Sequence, residues 1–496
     1  MTAKGIMRTF SRNGFLRVSE ALMLAALLLS SGCISIRDDA LAMGNENLYK
    51  DLLPEKESEQ EKKDTAVEMG ERLTEWAETF EGSDEITLAD CFRLALLNSE
   101  ALLIRGEKIL VTWTFEQEAI SSLLPKVSLD WNYTNDSDAV KFNGQSITPR
   151  DRTETWLSLK QTVFDGRSLA AVPAAREARK IERLRIRDER DRLLFAVAGV
   201  FYEILGLEHD VKVFDSSLNS AQEFYRVVEA RRQSGEASRQ EAMSAKAQRE
   251  QVAALYIQAR HDVLIARSNL ARLVGLMEVP SKLLDTYMVT TSPEAIPVLK
   301  EVAFEERSDL EAARAAVALA KAQRLAEYSD YLPLVTAEFK RWLKQQEGAY
   351  ASQVDWSLSL DMTWTLFDSF GREARQARAL SGIRQRELEL SALEKQIRYQ
   401  VEEAVLSFDS LSRVLGALRS REEASAAALD LAEKEYRANE ATNLDVELSR
   451  RAWVEAARDL ARTELAQKLA ALRIQLVIGE FKVSEPLTEA VEILKE

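Results

Sequence analysis

The sequence predicts a mixed α and transmembrane β protein built from a duplicated helix–strand–strand–helix repeat, with four strands per chain. Three observations carry that expectation. Gly and Pro together number 27 of 496 residues, about 5% against a usual share of roughly 12%, so turns are few and helices long. Markers recur in the same order in the two halves of the chain. Short segments between the helical stretches alternate apolar and polar residues with period two.

The chain opens on an export signal, residues 1–32. Lys4, Arg8, Arg12 and Arg17 form a positive start, and Ala21 to Leu29 form an apolar stretch too short to span a bilayer as a helix. Leu29-Ser30-Ser31-Gly32-Cys33 is similar to a bacterial lipobox, with the Cys33 thiol as the acylation site. Removal of the signal leaves 62 basic and 80 acidic residues, net -18 against -15 for the whole chain. That balance argues against a nucleic-acid partner, because phosphate binding needs a basic face. Residues 33–86, with the acidic run from Pro54 to Asp64, read as lipid anchor and tether.

The first repeat is expected over 87–276 and the second over 298–480, with a connector at 277–297 and a tail at 481–496. Leu124-Pro-Lys-Val127 lies over Leu332-Pro-Leu-Val335, and Val163-Phe-Asp165 over Leu366-Phe-Asp368. Gln233-Ser-Gly-Glu-Ala-Ser238 lies over Arg437-Ala-Asn-Glu-Ala-Thr442. Strands are expected at about 124–135, 154–165, 332–343 and 354–367. In the fourth, Trp356, Leu358, Leu360, Met362 and Trp364 alternate with Ser357, Ser359, Asp361 and Thr363, a lipid-facing row of the kind a tilted membrane strand needs. A sheet with one wet face alternates in the same way, but no other segment supplies a partner sheet. Four strands do not close a barrel, and an open edge in lipid leaves backbone groups unpaired. Two chains would supply eight strands and three would supply twelve; geometry leaves that choice open.

Long helices are expected at about 167–232 and 372–438, each about 100 Å at 1.5 Å per residue. Phe195, Ala198, Tyr202 and Leu205, and Leu465, Leu469, Leu472 and Leu476, are spaced as in a coiled-coil stripe. No phosphate loop, metal motif or catalytic constellation occurs, so neither enzyme activity nor a cofactor or metal is expected. Cys91 reads as core, and His209 and His261 as surface residues.

The lipobox, the duplicated plan, the Phe-Asp exits at Phe164-Asp165 and Phe367-Asp368, and the two tip sequences resemble the TolC-like outer-membrane efflux family over about residues 87–480. That resemblance implies a homotrimer with a twelve-stranded barrel in the outer membrane, continued by a helical tunnel across the periplasm. It implies an outer-membrane channel of a tripartite efflux or type I secretion system, conducting substrate delivered by an inner-membrane pump and a periplasmic adaptor. The adaptor-docking tips would be Arg231, Arg232, Gly235 and Ser238 in one copy and Arg437, Asn439 and Thr442 in the other. Asp445, Glu447 and Glu241 would be the gate carboxylates. Many relatives carry a second aspartate where Leu448 stands here, and Gly where Asn439 stands. Asp445 reads equally as a helix-start residue held by the N-terminal dipole. The competing function is a periplasm-spanning lipoprotein rod that tethers envelope layers and has no use for the strands.

Overall fold

The computed structural model describes residues 84–142, 145–148, 150–280, 282–286, 295–344 and 354–481. The expected signal, the lipidation residue Cys33, most of the tether and nearly all of the tail lie outside them. In chain order the elements are β1 (Glu85–Thr87), α1 (Leu88–Asn98), α2 (Glu100–Ser121), β2 (Lys126–Asn135), β3 (Val140–Phe142), β4 (Gln145–Thr148), β5 (Asp151–Phe164), α3 (Gly166–Gln233) and α4 (Arg239–Val274). The second half continues with β6 (Lys282–Leu284), α5 (Ile296–Glu306), α6 (Ser308–Tyr328), a 3₁₀ turn (Ser329–Tyr331), β7 (Leu334–Lys344), β8 (Trp356–Thr363), α7 (Gly371–Arg437) and α8 (Asn443–Ile478). The described residues divide into two compact units, one of residues 105–183 and 312–390, the other of 84–104, 184–311 and 391–481.

The first unit holds the four-stranded antiparallel sheet, ordered β2-β5-β7-β8. The pairing aligns one apolar face. Val127 stands beside Leu159, Phe339 and Leu358, and the next row out is Leu129, Leu157, Arg341 and Trp356. The opposite face is polar and bonded to itself: the Ser128 and Ser158 hydroxyls meet at 2.6 Å, and each lies within hydrogen-bond reach of the Asp130 carboxylate, at 3.1 and 3.0 Å. β2 and β8 pair on one side only.

β8 stops at Thr363, short of the expected 367. The backbone beyond it is claimed by side chains instead of by a ladder. The Trp364 indole N–H donates to the Tyr331 carbonyl (3.1 Å), and the Arg372 guanidinium donates to the carbonyls of Thr365 (2.9 Å) and Leu366 (3.0 Å). Both Phe-Asp exits act as helix starts, since Asp165 accepts from the Arg167 N–H and Asp368 from the Arg372 N–H. The second exit is two residues longer, and Ser369 and Phe370 absorb the surplus at φ of 58° and 64°. Asp330 ties the two long helices to the start of β7, pairing with Arg167 at 2.8 Å and Arg375 at 2.9 Å.

The second unit is packed around Phe92, Leu94, Val197, Phe201, Tyr202, Leu270 and Leu472. The expected stripes are in that packing: Ala198, Tyr202 and Leu472 are buried, while Phe195, Leu205, Leu465, Leu469 and Leu476 are partly buried against the core. Cys91 is fully buried, and burial pushes its thiol far above the ordinary range. His209 differs from expectation and is half-buried on α3. Two further differences concern short strands. β1 pairs in parallel with β6, inside segments read as tether and connector, because three residues are too few to show an alternation. β3 and β4 pair antiparallel between the first two expected strands, where no strand was expected.

At the end of α4, Gly275 has φ 74°, and a Cβ there would fall 2.3 Å from that of Asn98, whose amide donates to the Val274 carbonyl. Gly275→Ala therefore meets both backbone strain and steric overlap. A loss of roughly 1–3 kcal/mol is expected, read as a lower thermal midpoint of the detergent-solubilised protein.

Candidate functional site: the helix tips and the apolar sheet face

Two reversals, between α3 and α4 and between α7 and α8, carry most of the residues singled out in the sequence. They are built alike. The Glu236 N–H donates to the Arg231 carbonyl and the Glu440 N–H to the Glu435 carbonyl, each at 2.8 Å, the long closing bond of a helix that ends in a left-handed residue. That residue is Gly235 (φ 83°) in one tip and Asn439 (φ 64°) in the other. Asn reaches this conformation at low cost among residues with a Cβ.

Each return helix starts on a reciprocal cap. The Ser238 hydroxyl accepts from the Glu241 N–H while the Glu241 carboxylate accepts from the Ser238 N–H (2.7 Å). Thr442 and Asp445 repeat the arrangement, and the Thr442 hydroxyl also donates to Asp445 at 2.6 Å. Those bonds hold the Asp445 carboxyl below the usual Asp range. Glu447 pairs with Arg451 on its own helix. All three carboxylates read as gate residues are thus engaged on their own helices, Glu241 and Asp445 as caps and Glu447 with Arg451.

The two tips also meet. Arg231 donates to the Tyr436 carbonyl (3.0 Å) and to the Asn439 side chain, and its guanidinium lies 5.1 Å from the centre of the Tyr436 ring. Phe224, Val228, Ala242, Ala245, Ala432, Tyr436 and Val446 form the apolar cluster beneath. Arg232 is not part of this meeting, because it pairs with Glu229 one turn back. Arg437 is exposed and makes no pair among the described residues.

Below the cluster sit groups that the sequence reading missed. Arg450 is only 2% exposed, donates to Ser220 (3.1 Å) and Glu433 (3.0 Å), and lies over the Phe224 ring. Burial lowers its pKa from the usual arginine value. Farther along, the buried Asp210 carboxylate accepts from Arg458 (2.9 Å) and Arg462 (2.7 Å). A signal existed: Arg450 falls in the buried series Val446, Ala457 and Ala461, at the three-and-four spacing of a core stripe.

In the first unit the row Trp356, Leu358, Leu360, Met362 and Trp364 is between 53% and 70% exposed, a continuous apolar surface with nothing over it among the described residues. Trp364 belongs to that surface although it lies one residue past β8. Among the described residues, no helix is long and apolar enough to cross a membrane, and no cluster of three or more His, Cys, Asp or Glu is placed to hold a metal.

The family model for outer membrane efflux proteins matches residues 117–276 and 299–480, one stretch for each copy of the repeat. The chain belongs to the outer membrane efflux protein family. No curated protein matches it. Among solved structures it is similar to the outer membrane protein VceC of Vibrio cholerae, at 19% identity over 80% of this chain and 97% of that one, with a TM-score of 0.69. It is similar to the outer membrane channel CmeC of Campylobacter jejuni, at 15% identity over 84% and 90%, TM-score 0.71. The open state of the MtrE outer membrane channel of Neisseria gonorrhoeae matches at 18% identity over 80% and 89%, TM-score 0.67. The chain therefore has the mixed α and β fold of this efflux family.

The depressed pKa of Asp445 sets a pH dependence. A carboxyl lowered by folding stabilises above its unfolded value and ceases to do so as pH falls through the folded value. Asp445→Ala should therefore speed amide exchange over residues 442–446 at neutral pH. The difference from wild type should close as pH falls below the ordinary value of 3.8, since both proteins then lack the carboxylate.

Proposed function

We propose that the chain is the outer-membrane channel of a tripartite efflux or type I secretion system. It conducts passively what a pump in the inner membrane and a periplasmic adaptor deliver. The observation that carries this reading is the sheet of the first unit, with one apolar face uncovered and both edge strands half-paired. In lipid each unpaired backbone group costs several kcal/mol, so the edges of β2 and β8 need further strands. Family membership favours three copies, which put twelve strands in one barrel with the Ser128–Asp130–Ser158 face inward. Such an interior is polar and wide enough for a conduit.

In this reading the helices occupy the periplasm and the tips face the adaptor. Of the three arginines expected at the docking tips, Arg437, exposed and unpaired among the described residues, is the one most open to an adaptor. Gly235, Ser238, Asn439 and Thr442 hold the shape of the docking surface, while Arg231 joins the two tips. Arg232, engaged with Glu229, is a weaker contact. Asp445, Glu241 and Glu447 each enter the assembled aperture three times, a ring of carboxylates that favours cations at close range. Asp445 and Glu241 do so while also capping their helices, and Glu447 while paired with Arg451. Acylation of Cys33 anchors the chain in the outer membrane.

The test is planar-bilayer conductance of the purified oligomer. Discrete steps are expected, and their size or cation preference should change in Asp445→Ala. Leu360→Arg places a charge on the lipid face at about 2–4 kcal/mol per chain and should abolish insertion, whereas Ser359→Arg, on the inner face beside Glu338, should insert normally. Equal tolerance at the two positions, or a folded protein that neither oligomerises nor inserts, would return the chain to the role of an envelope-spanning rod. For the anchor, Cys33→Ser should abolish labelling by a radioactive fatty acid; label that persists would rule out Cys33 as the acylation site.

A further inference from the structure

The apolar face of the sheet carries two polar interruptions between the rows of Val335 and Trp356, and they are treated differently. Gln161, opposite Ala337, is satisfied, since its amide donates to the carbonyls of Leu123 (2.7 Å) and Thr162 (2.8 Å). Arg341 stands between Leu157 on one side and Trp356 on the other, is exposed, and makes no hydrogen bond or ion pair among the described residues. A bulge between Thr155 and Trp156 then shifts the register, so that Lys344 pairs with Thr155, a residue in step with Leu157 and Leu159. Lys344 is likewise exposed and unpaired among the described residues. Of the acidic groups nearby, Asp355, whose carbonyl accepts from the Trp342 N–H (3.1 Å), makes no ion pair with either cation among the described residues. Glu338 points to the other face and pairs with Lys340 (3.3 Å), and Asp151 accepts from Tyr133 (3.0 Å) and Asn135.

The level of this cation pair along the sheet is definite. The helices join the sheet at the other end, where Phe164 leads into α3 and the 3₁₀ turn leads into β7. A strand tilted by about 40° gains roughly 2.5 Å of depth per residue, so Trp356 stands about 20 Å from Trp364, close to the height of an apolar barrel band. Arg341 shares its row with Trp356, which stacks on Phe339, and farther along the same face Trp131 stacks on Tyr133. Aromatic rings of this kind mark the boundary between acyl chains and headgroups. A cation there, on a long apolar stem and with no partner among the described residues, matches an anion held at that level.

We infer that Arg341 and Lys344 form a binding site for the phosphate of an anionic lipid headgroup in the outer leaflet. The inference rests on the channel reading, which puts the helices in the periplasm and this rim of the sheet outward. The occupant is a lipid phosphate and not a soluble one, because the two cations face the same side as the apolar rows and their stems leave from within the aromatic boundary.

The probe is bisphosphorylated lipid A, compared with the same lipid stripped of phosphate, in phosphatidylethanolamine vesicles holding the purified oligomer. Lipid retained after mild detergent extraction is counted by native mass spectrometry. Wild type should retain the phosphorylated form preferentially, and Arg341→Ala and Lys344→Ala should each lower retention by about fivefold. Lys160→Ala, on the inner face, should not. Equal retention of the two lipids, unchanged retention in the double variant, or displacement of the lipid by millimolar inorganic phosphate would overturn the assignment. Oligomer that conducts without lipid preference would sink this inference alone, whereas oligomer that never inserts would sink the channel reading with it.

Discussion

An open four-stranded sheet with one apolar face has nowhere to rest alone. Its edge strands expose unpaired amides and carbonyls, and its apolar face exposes large side chains from Val127 to Trp364. Water penalises the face and lipid penalises the edges. Only closure with other strands, in a membrane, relieves both, and the rest of the architecture is arranged around that requirement. The polar face of the sheet, bonded through Ser128, Asp130 and Ser158, is already suited to line a wet interior.

The join between sheet and helices shows how the chain changes from one kind of structure to the other within a few residues. Ladder pairing ends where side chains take over the backbone carbonyls, through Trp364 and Arg372, and each long helix begins on an aspartate that accepts from its first amides. Asp330 then gathers Arg167 and Arg375 from the two helix starts. Because both helices are tied to one carboxylate beside β7, the duplicated halves share a junction and are not independent modules.

The tips use the same economy. Gly235 and Asn439 close their helices with a left-handed residue, and Ser238–Glu241 and Thr442–Asp445 open the next ones. A carboxylate that caps a helix is held in a fixed direction and kept ionised, which are also the properties an electrostatic constriction needs. Capping and gating are therefore compatible uses of Asp445. Beneath the tips, Arg450 and Asp210 are buried charges with partners on other helices. They specify which helices lie side by side more than they stabilise, since burying an ion pair returns little net energy.

The strands, the two long helices, the repeat and the tip reversals were legible in the sequence, because each is a local pattern. Alternation over eight residues, scarcity of Gly and Pro, and Gly235 or Asn439 between capping sequences all act through neighbouring residues. Trp356 to Met362 could be assigned to one face by parity alone. What only the tertiary structure decided is whatever depends on residues far apart in the chain. The end of β8 at Thr363 is set by Arg372 and Tyr331. The pairing of β1 with β6 joins segments nearly 200 residues apart whose three-residue length carries no period. The partners of Arg450 come from α3 and α7. The isolation of Arg341 among apolar neighbours follows from the register of three strands. Periodicity reports which face a side chain takes within its own element, and a contact between elements needs the packing that brings them together.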